Sequence, residues 1–326
     1  MPTLFVATIG GHLAELAEIA KRLPEDHDDV RVWATQDHPQ SRALLADEPN
    51  VVYVPDVGIR DVRGVLRCVP LAHRLHQQWK FTRVISTGSA TALGFLPYLA
   101  LRRVPAHYVE CATRVRGSSV TAKVLAGVPG VHLYTQWEHL AHGWWHYGGS
   151  VFDGFIVEKR PSPEPIRRAV VTVGTMDDYA FRSVFEALAP LLGSGGAIER
   201  FQGAPVETLW QSGCTPVDDL GIDARPYVNG DELEAAIRGA DLVVSHAGTG
   251  SSLTALLAGR FPLLVPRSAS AGENLDDHQE LLATELARRD LAMARRPQEL
   301  TAEDLLAASN RFVVHPDAAK PFELLV

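Results

Sequence analysis

A glycine-rich segment in the second half of the chain has the residue types that a phosphate-binding turn needs. Residues 245–252 read Ser-His-Ala-Gly-Thr-Gly-Ser-Ser, after an apolar run and before a helical pattern. Glycines let the backbone approach a ligand, and the free N–H groups of a first helical turn favour an anion. The segment therefore predicts a strand, a turn and a helix start that bind a nucleotide diphosphate.

A second cluster of polar residues lies further along the chain. Residues 273–279 read Glu-Asn-Leu-Asp-Asp-His-Gln. Short polar side chains at this density can form hydrogen bonds with several sugar hydroxyls, although acids near a helix start also serve as caps. With the glycine-rich segment, the cluster predicts a nucleotide-sugar as the joint ligand.

Two residues in the first half are candidates for moving a proton. His12 follows a glycine pair, and an imidazole can accept a proton near neutral pH. The alternatives for His12 are a helix cap or a contact to phosphate. Glu110 is a lone acid among bases, and its alternative is a salt bridge to Arg114 or Arg116.

The elements that position these residues alternate between short β-branched runs and amphipathic stretches, which is typical of a parallel sheet. Each glycine turn follows a strand, so two Rossmann-like domains with a cleft between them are expected. Their predicted bounds are 1–160 and 161–326, with a proline-rich linker at 158–168. Strands are predicted at 4–9, 30–35, 51–55, 83–87, 107–110, 169–173, 242–245 and 263–265, and helices at 13–23, 62–79 and 179–192.

Composition narrows the class of protein. The chain has 326 residues, 46% of them hydrophobic and 21% charged, which indicates a globular protein with two domains. Three cysteines without paired spacing argue against a zinc site and for a reducing compartment. With neither a basic leader nor a membrane-length apolar run, a cytoplasmic location is expected. The aspartate pairs are adjacent, so their side chains diverge, and neither a metal nor another cofactor is expected.

Charge is distributed unevenly. Residues 62–137 carry ten bases and one acid, although the whole chain has a net charge of −8. This segment predicts an anionic partner, either a phospholipid surface or a pyrophosphate, unless its arginines are only spread over solvated helices. The apolar run 93–101 and the basic helix 62–79 are candidates for docking on an anionic bilayer or for packing on the sheet. Aromatic residues are not interleaved with the bases, so nucleic acid is not an expected partner.

Five motifs, in order along the chain, resemble glycosyltransferase family 28, the MurG-like group. They are residues 8–12, then 86–89, then 108–110 with 114–115 and 134–138, then 171–175, and last 245–252. The third is similar to the membrane-recruiting subunit of the dolichol- or polyprenyl-linked UDP-N-acetylglucosamine transferase, and the last two to its catalytic partner. The chain thus resembles both subunits fused, and also bacterial exopolysaccharide glycosyltransferases.

The resemblance implies a GT-B fold of two facing Rossmann-like domains and assigns site residues. The implied catalytic residues are His12 and Glu110. The residues implied to bind the donor nucleotide are Gly174, Thr175, Val228, His246, Gly248, Thr249, Gly250 and Ser251. The residues implied to bind the donor sugar are Asn274, Asp277, His278 and Gln279. Those implied to bind the acceptor are Gly10, Gly11, Thr87, Gly88, Ser89 and Arg114. The family often has a ribose-binding glutamate where this chain has Thr254.

The implied activity is inverting transfer of N-acetylglucosamine or a related hexose from a UDP-sugar. The implied acceptor is a polyprenyl-diphosphate-linked sugar at the inner face of the cell membrane, for synthesis of a surface polysaccharide or glycan. Three alternatives are a transferase for soluble small-molecule acceptors, a UDP-sugar 2-epimerase, and a non-catalytic membrane adaptor.

Overall fold

A computed structural model describes residues 1–24, 30–58, 61–174, 179–273, 277–314 and 320–325. The chain forms two compact units. The first comprises Met1–Asp153 together with the C-terminal segment Ala319–Val326, and the second comprises Gly154–Ala318. Both are layered α/β units, as the alternating sequence pattern predicts.

The first unit is built on a parallel sheet of seven strands in the order β3-β2-β1-β4-β5-β6-β7. Its apolar strands alternate with helices that cover the sheet, so the glycine turns emerge at the carboxyl ends of the strands. The strands are β1 (Pro2–Ala7), β2 (Val30–Gln36), β3 (Val51–Val54), β4 (Arg83–Gly88), β5 (Ala106–Val109), β6 (Val131–Thr135) and β7 (Trp145–Tyr147). The helices are α1 (Gly11–Lys21), α2 (Pro39–Leu44), α3 (Val62–Trp79), α4 (Ala90–Ala100) and α5 (Val120–Leu125).

Helix α4 lies in the core of the first unit. Phe95, Leu96 and Leu99 are fully buried, together with strand residues such as Leu4 and Val84. Of the two bilayer candidates in the sequence, the apolar run 93–101 is therefore mostly a core helix packed on the sheet. No helix in the described part of the chain is both long and apolar enough to cross a membrane.

The second unit has its own parallel sheet of six strands, in the order β11-β10-β9-β12-β13-β14. These strands are β9 (Arg168–Thr172), β10 (Glu207–Gln211), β11 (Ala224–Arg225), β12 (Leu242–Ser245), β13 (Pro262–Leu264) and β14 (Met293–Ala294). A separate antiparallel pair joins β8 (Ile156–Lys159) to β15 (Arg311–Val314). The helices are α6 (Arg182–Leu192), α7 (Ala197–Gln202), α8 (Gly230–Gly239), α9 (Thr249–Leu257), α10 (His278–Arg288) and α11 (Ala302–Ser309).

Residues 158–168, which the sequence suggests as a linker, lie within the second unit. They begin in β8 and end in β9, and the partner strand of β8 comes from residues 311–314. The residues near β8 give no sign of a partner strand so far along the chain, whereas the three prolines are a strong local signal for a linker.

The C-terminal segment packs onto the first unit, which the sequence pattern does not predict. Phe322 is fully buried, and its N–H donates to Arg22 O at 2.8 Å. The Arg22 guanidinium donates to Ser150 O at 2.5 Å and to Lys320 O at 3.0 Å. The Leu325 N–H donates to the Tyr134 hydroxyl at 2.7 Å. Residues 320–325 therefore complete the first unit.

We expect Phe322→Ala to lower the free energy of unfolding of the first unit by about 3–5 kcal/mol, because it leaves a cavity under a fully buried ring. Thermal unfolding with a spectroscopic probe in each unit measures the effect. Leu325→Ala is the matched control, since that side chain is 42% exposed and the bond to Tyr134 comes from its backbone. Equal destabilisation by the two variants would contradict the packing role of Phe322.

Candidate functional site

The glycine turn of the first unit joins β1 to α1. Gly10 is the N-cap of α1 and has a φ of +77°, a region that glycine adopts without strain. The helix begins at Gly11, so His12 is its second residue. This places the imidazole at the carboxyl end of the sheet, where open α/β folds bind ligands.

The bond between His12 and Thr87 fixes the tautomer of the imidazole. His12 Nδ1 lies 2.8 Å from the backbone oxygen of Thr87, and the Thr87 hydroxyl donates to His12 O at 2.7 Å. A carbonyl oxygen only accepts, so Nδ1 carries the hydrogen of the neutral ring. The lone pair is therefore on Nε2, which makes Nε2 the basic atom.

The electrostatic surroundings keep His12 neutral at pH 7. Burial lowers the pKa of His12 below its ordinary 6.5, the bond to Thr87 opposes this, and the positive charge of Arg114 lowers it further. Gly88, at φ +109°, lies against the ring, and a Cβ there would be 3.3 Å from His12 Cε1. The imidazole is thus unprotonated and held in place, as a general base must be.

Glu110 is buried in a ring of hydrogen-bond donors. Its Oε1 accepts from the Tyr108 hydroxyl at 3.1 Å and from Cys111 N at 3.3 Å, and its Oε2 accepts from Ser119 N at 2.8 Å. Among the described residues it forms no ion pair with Arg114. The carboxylate therefore organises the loop that follows β5. It also lines a cavity of about 110 Å³ with Thr135 and other residues of this edge.

A buried glutamate that the sequence analysis missed supports the same loop. Glu15 is fully buried one turn after His12, and it accepts from the Cys111 thiol at 2.9 Å and from Ala112 N at 3.1 Å. Gln136 donates to it at 2.5 Å and also to Glu110 O at 3.1 Å. Burial raises the pKa of the Cys111 thiol well above its usual range. Only the three-residue spacing from His12 could have indicated Glu15.

The glycine turn of the second unit joins β12 to α9, as the sequence predicts. Gly248 is the N-cap of α9, which begins at Thr249 and includes Gly250 and Ser251. No side chain caps this helix. The backbone N–H groups of its first turn and its dipole favour a negative ligand at this position.

The ring of His246 lies between two glycines. A Cβ on Gly174 would be 2.7 Å from His246 Cε1, and a Cβ on Gly248 would be 2.5 Å from Nε2. Neither distance is tolerated by a real side chain, so the position of the ring requires glycine at both positions. Ser251 Oγ lies 3.5 Å from His246 Nδ1.

His246 is also neutral at pH 7. Burial, and then the positive charge of Arg267, lower its pKa to about 4, against the opposing effect of the Thr172 backbone. A neutral imidazole next to a helix N-terminus can donate one hydrogen bond to a phosphate without adding a formal charge.

The other residues predicted to contact the donor lie in different parts of the second unit, and two of them are outside the described residues. Asp277 is the N-cap of α10, which begins at His278, and Gln279 Oε1 accepts from Arg267 N at 3.1 Å. Val228 is buried just before α8. Thr175 and Asn274 lie outside the described residues.

Thr254, at the position where the family often has a ribose-binding glutamate, donates its hydroxyl hydrogen to Gly250 O at 2.9 Å within α9. In the described part of the chain, no three histidine, cysteine, aspartate or glutamate side chains are grouped closely enough to hold a metal ion.

Comparison with known proteins identifies a family domain in the second half of the chain. Residues 169–320, which contain the Gly248–Ser251 turn and the His246 ring, match the glycosyltransferase family 28 C-terminal domain. Residues 169–320 are therefore a glycosyltransferase family 28 C-terminal domain. The chain is a glycosyltransferase, and its predicted resemblance to the MurG-like members of family 28 is confirmed.

Two curated relatives match different extents of the chain. The UDP-N-acetylglucosamine--N-acetylmuramyl-(pentapeptide) pyrophosphoryl-undecaprenol N-acetylglucosamine transferase of Anaeromyxobacter sp. is 24% identical over 332 residues, which cover 94% of this chain and 84% of that protein. The UDP-N-acetylglucosamine transferase subunit ALG13 of Yarrowia lipolytica is 44% identical over 59 residues, which cover 18% of this chain and 28% of that protein.

The solved structure of Acinetobacter baumannii MurG is similar to this chain, with a TM-score of 0.59 and 18% identity. The match covers 94% of this chain and 89% of MurG. This likeness establishes the fold, and the predicted GT-B class is confirmed. The described residues assigned to the acceptor and to catalysis, from Gly10 to Arg114, lie in the first unit, and those assigned to the donor, from Gly174 to Gln279, lie in the second.

Proposed function

We propose that this enzyme transfers a sugar, N-acetylglucosamine or a related hexose, from a UDP-sugar to a polyprenyl-diphosphate-linked sugar, with inversion at the anomeric carbon. The observation that carries the proposal is the alignment over 94% of the chain with the Anaeromyxobacter enzyme. The name of that relative specifies both a UDP-N-acetylglucosamine donor and a pyrophosphoryl-undecaprenol acceptor. The product would be used for a surface polysaccharide or glycan.

His12 is the proposed general base. Its Nε2 takes the proton of the acceptor hydroxyl while the acceptor oxygen bonds to the anomeric carbon and the bond to UDP breaks. The hydrogen bond to Thr87 O supports this role, since it leaves the Nε2 lone pair unoccupied. Glu110 is the second proposed catalytic residue. Its buried hydrogen bonds favour a role in holding the conformation of the loop that receives the acceptor.

The Gly248–Ser251 turn is the proposed site for the donor diphosphate. Backbone amides and the dipole of α9 stabilise the charge on the departing UDP, and neutral His246 adds a donor. We propose that this stabilisation replaces a divalent cation. Asp277, His278 and Gln279 are the proposed contacts to the sugar, and the backbone of Val228 to the uracil.

The test is transfer of radiolabelled sugar from a panel of UDP-, GDP- and dTDP-sugars to short-chain polyprenyl-diphosphate sugars, with and without EDTA. We expect transfer from one UDP-sugar, unaffected by EDTA. Loss of activity in EDTA and recovery with Mg²⁺ would contradict the metal-free mechanism. Transfer only to soluble acceptors would favour a transferase for small-molecule acceptors. Epimerised UDP-sugar without an acceptor would favour a UDP-sugar 2-epimerase, and no nucleotide binding would favour a non-catalytic membrane adaptor.

Peripheral binding to an anionic membrane, at the inner face of the cell membrane, is also proposed. Apolar side chains are exposed on α3 and α5, where Leu66 is 63% and Val124 is 51% exposed. Arg63, Arg67 and Lys123 are exposed on the same two helices. Both helices start at the carboxyl edge of the sheet, the edge that carries His12, so lipid contact there would bring a lipid-linked acceptor to the base.

We expect the double variant Leu66→Glu with Val124→Glu to bind anionic liposomes about ten-fold more weakly than the wild type, because two apolar contacts are lost and two like charges are added. Co-sedimentation at low and high salt measures the effect. Phe201→Glu is the matched control, an apolar residue that is 74% exposed in the second unit. Equal binding by all three proteins would contradict this docking face.

A further inference from the structure

A buried arginine behind the glycine turn of the second unit takes no part in the function described so far. Arg267 follows β13 and is 1% exposed. Arginine is rarely buried to this extent without a carboxylate partner. In the described part of the chain, however, no acidic side chain forms an ion pair with Arg267.

The partners of Arg267 are backbone carbonyls from three separate segments. One terminal nitrogen, Nη1, donates to Tyr179 O at 2.6 Å and to Glu273 O at 3.3 Å. The other, Nη2, donates to Val173 O at 3.0 Å, whereas the buried Nε has no partner. The guanidinium carbon lies 5.0 Å from the centre of the Phe181 ring.

The positive charge of Arg267 is thus only partly compensated. Carbonyl dipoles and an aromatic face stabilise a cation less than a carboxylate does. The carboxylate of Glu273 is engaged elsewhere, accepting from the Ser183 hydroxyl at 2.5 Å and from Ser268 N at 3.2 Å. A protein that keeps such a group gives up stability, unless a ligand supplies the missing negative charge.

The location of Arg267 indicates which ligand this is. Val173, which accepts one of its bonds, directly precedes Gly174, and Gly174 lies against the His246 ring. That ring is in contact with Gly248, where α9 begins. One buried cation therefore lies directly behind the helix N-terminus that the proposed function assigns to the diphosphate.

We propose that Arg267 is a buried counter-charge for the donor diphosphate, and that it acts through space and through the Val173–Gly174 backbone without touching the ligand. It is a positioning residue, and the inference rests on the proposed UDP-sugar donor. Because the cation is shielded from water, its attraction to a phosphate is screened less than that of a surface arginine. The contribution grows with ligand charge and is absent for an uncharged nucleoside.

The experiment compares the affinities of UDP, UMP and uridine for the full-length protein by calorimetry, with competition titrations for the weak ligands. Arg267→Gln retains hydrogen-bond donors but removes the charge, and Arg267→Lys retains the charge but loses the two-pronged geometry. We expect Arg267→Gln to weaken UDP binding roughly ten- to thirty-fold, UMP less, and uridine less than about three-fold. Arg267→Lys should keep the wild-type ratio of UDP to uridine affinity.

Glu273→Gln is the matched control. The negative charge of Glu273 raises the pKa of Arg267, and Glu273→Gln removes that charge. The charge of Arg267 is then less compensated, so we expect the ratio of UDP to uridine affinity to stay the same or rise. Equal loss of UDP and uridine affinity in Arg267→Gln would overturn the counter-charge role and leave a structural one. A wild-type protein that binds none of the three nucleotides would instead contradict the proposed donor, and the inference with it. Circular dichroism and melting temperature confirm that each variant is folded.

Discussion

His12→Gln is expected to lower kcat for sugar transfer by about a hundred- to ten-thousand-fold, the usual contribution of a general base. Glutamine can still donate a hydrogen bond to Thr87 O, so the loop geometry is largely retained while the basic Nε2 is removed. Affinity for UDP should be unchanged, since the proposed donor contacts lie in the second unit. Steady-state kinetics combined with UDP titration separates the two effects.

The pH profile gives a second measurement of the same role. The pKa of His12 is below 6.5, and the neutral form is the base, so activity should persist at pH 6.5 and fall as the pH decreases through that lower pKa. His12→Gln should lose this acidic limb. His38→Asn is the matched control, because His38 accepts a hydrogen bond at the N-cap of α2 and asparagine can replace it there. A similar loss of kcat in both variants, or an unchanged profile in His12→Gln, would contradict the assignment.

Gly248→Ala is expected to reduce affinity for the nucleotide by about a hundred-fold, because the new methyl group would occupy the space of the His246 ring. The alanine Cβ would lie 2.5 Å from Nε2 and 3.1 Å from Cδ2 of that ring, so the ring or the start of α9 must move. Overpacking of this kind also costs about 1–3 kcal/mol of stability. Thermal shift with UDP measures both quantities.

A double variant tests whether the ring is the cause. His246→Ala removes the steric conflict, so adding Gly248→Ala to it should cost little further stability, and the two effects should be strongly non-additive. Gly239→Ala, in α8 of the same unit, is the control, since its Cβ would meet only the flexible end of Arg168 at 3.3 Å. Additive effects of the two substitutions would show that the packing of the His246 ring is not the reason why position 248 requires glycine.

Local patterns were enough to predict much of this fold. Short β-branched runs predicted β1, β2 and β12 to within a few residues, and the apolar stripe from Val62 to Trp79 predicted α3. The positions of Gly10 and Gly248 after strands predicted the two turns, because a glycine between a strand and a helix is a short-range signal. The same logic placed His12 and His246 at the carboxyl ends of their sheets.

Long-range contacts were not predictable in this way. Arg267 and Val173 are 94 residues apart, Glu15 and Gln136 are 121 apart, and Arg22 and Lys320 are 298 apart. Nothing in the neighbourhood of Arg267 or Glu15 distinguishes them from the surface arginines and glutamates that helices and loops commonly carry. The same holds for Phe322, since a single aromatic residue in a short C-terminal segment does not indicate what it packs against.

The amino-acid sequence by itself determined the two α/β halves, their glycine turns and the family 28 motifs, because these depend on residues adjacent along the chain. Only the tertiary structure decided the ionisation and tautomer of His12, the glycine enclosure of His246, and the burial of Arg267 and Glu15. Those properties depend on desolvation and on hydrogen-bond partners from distant segments. They exist only once the sheets have formed and the carboxyl ends of their strands have brought these segments together.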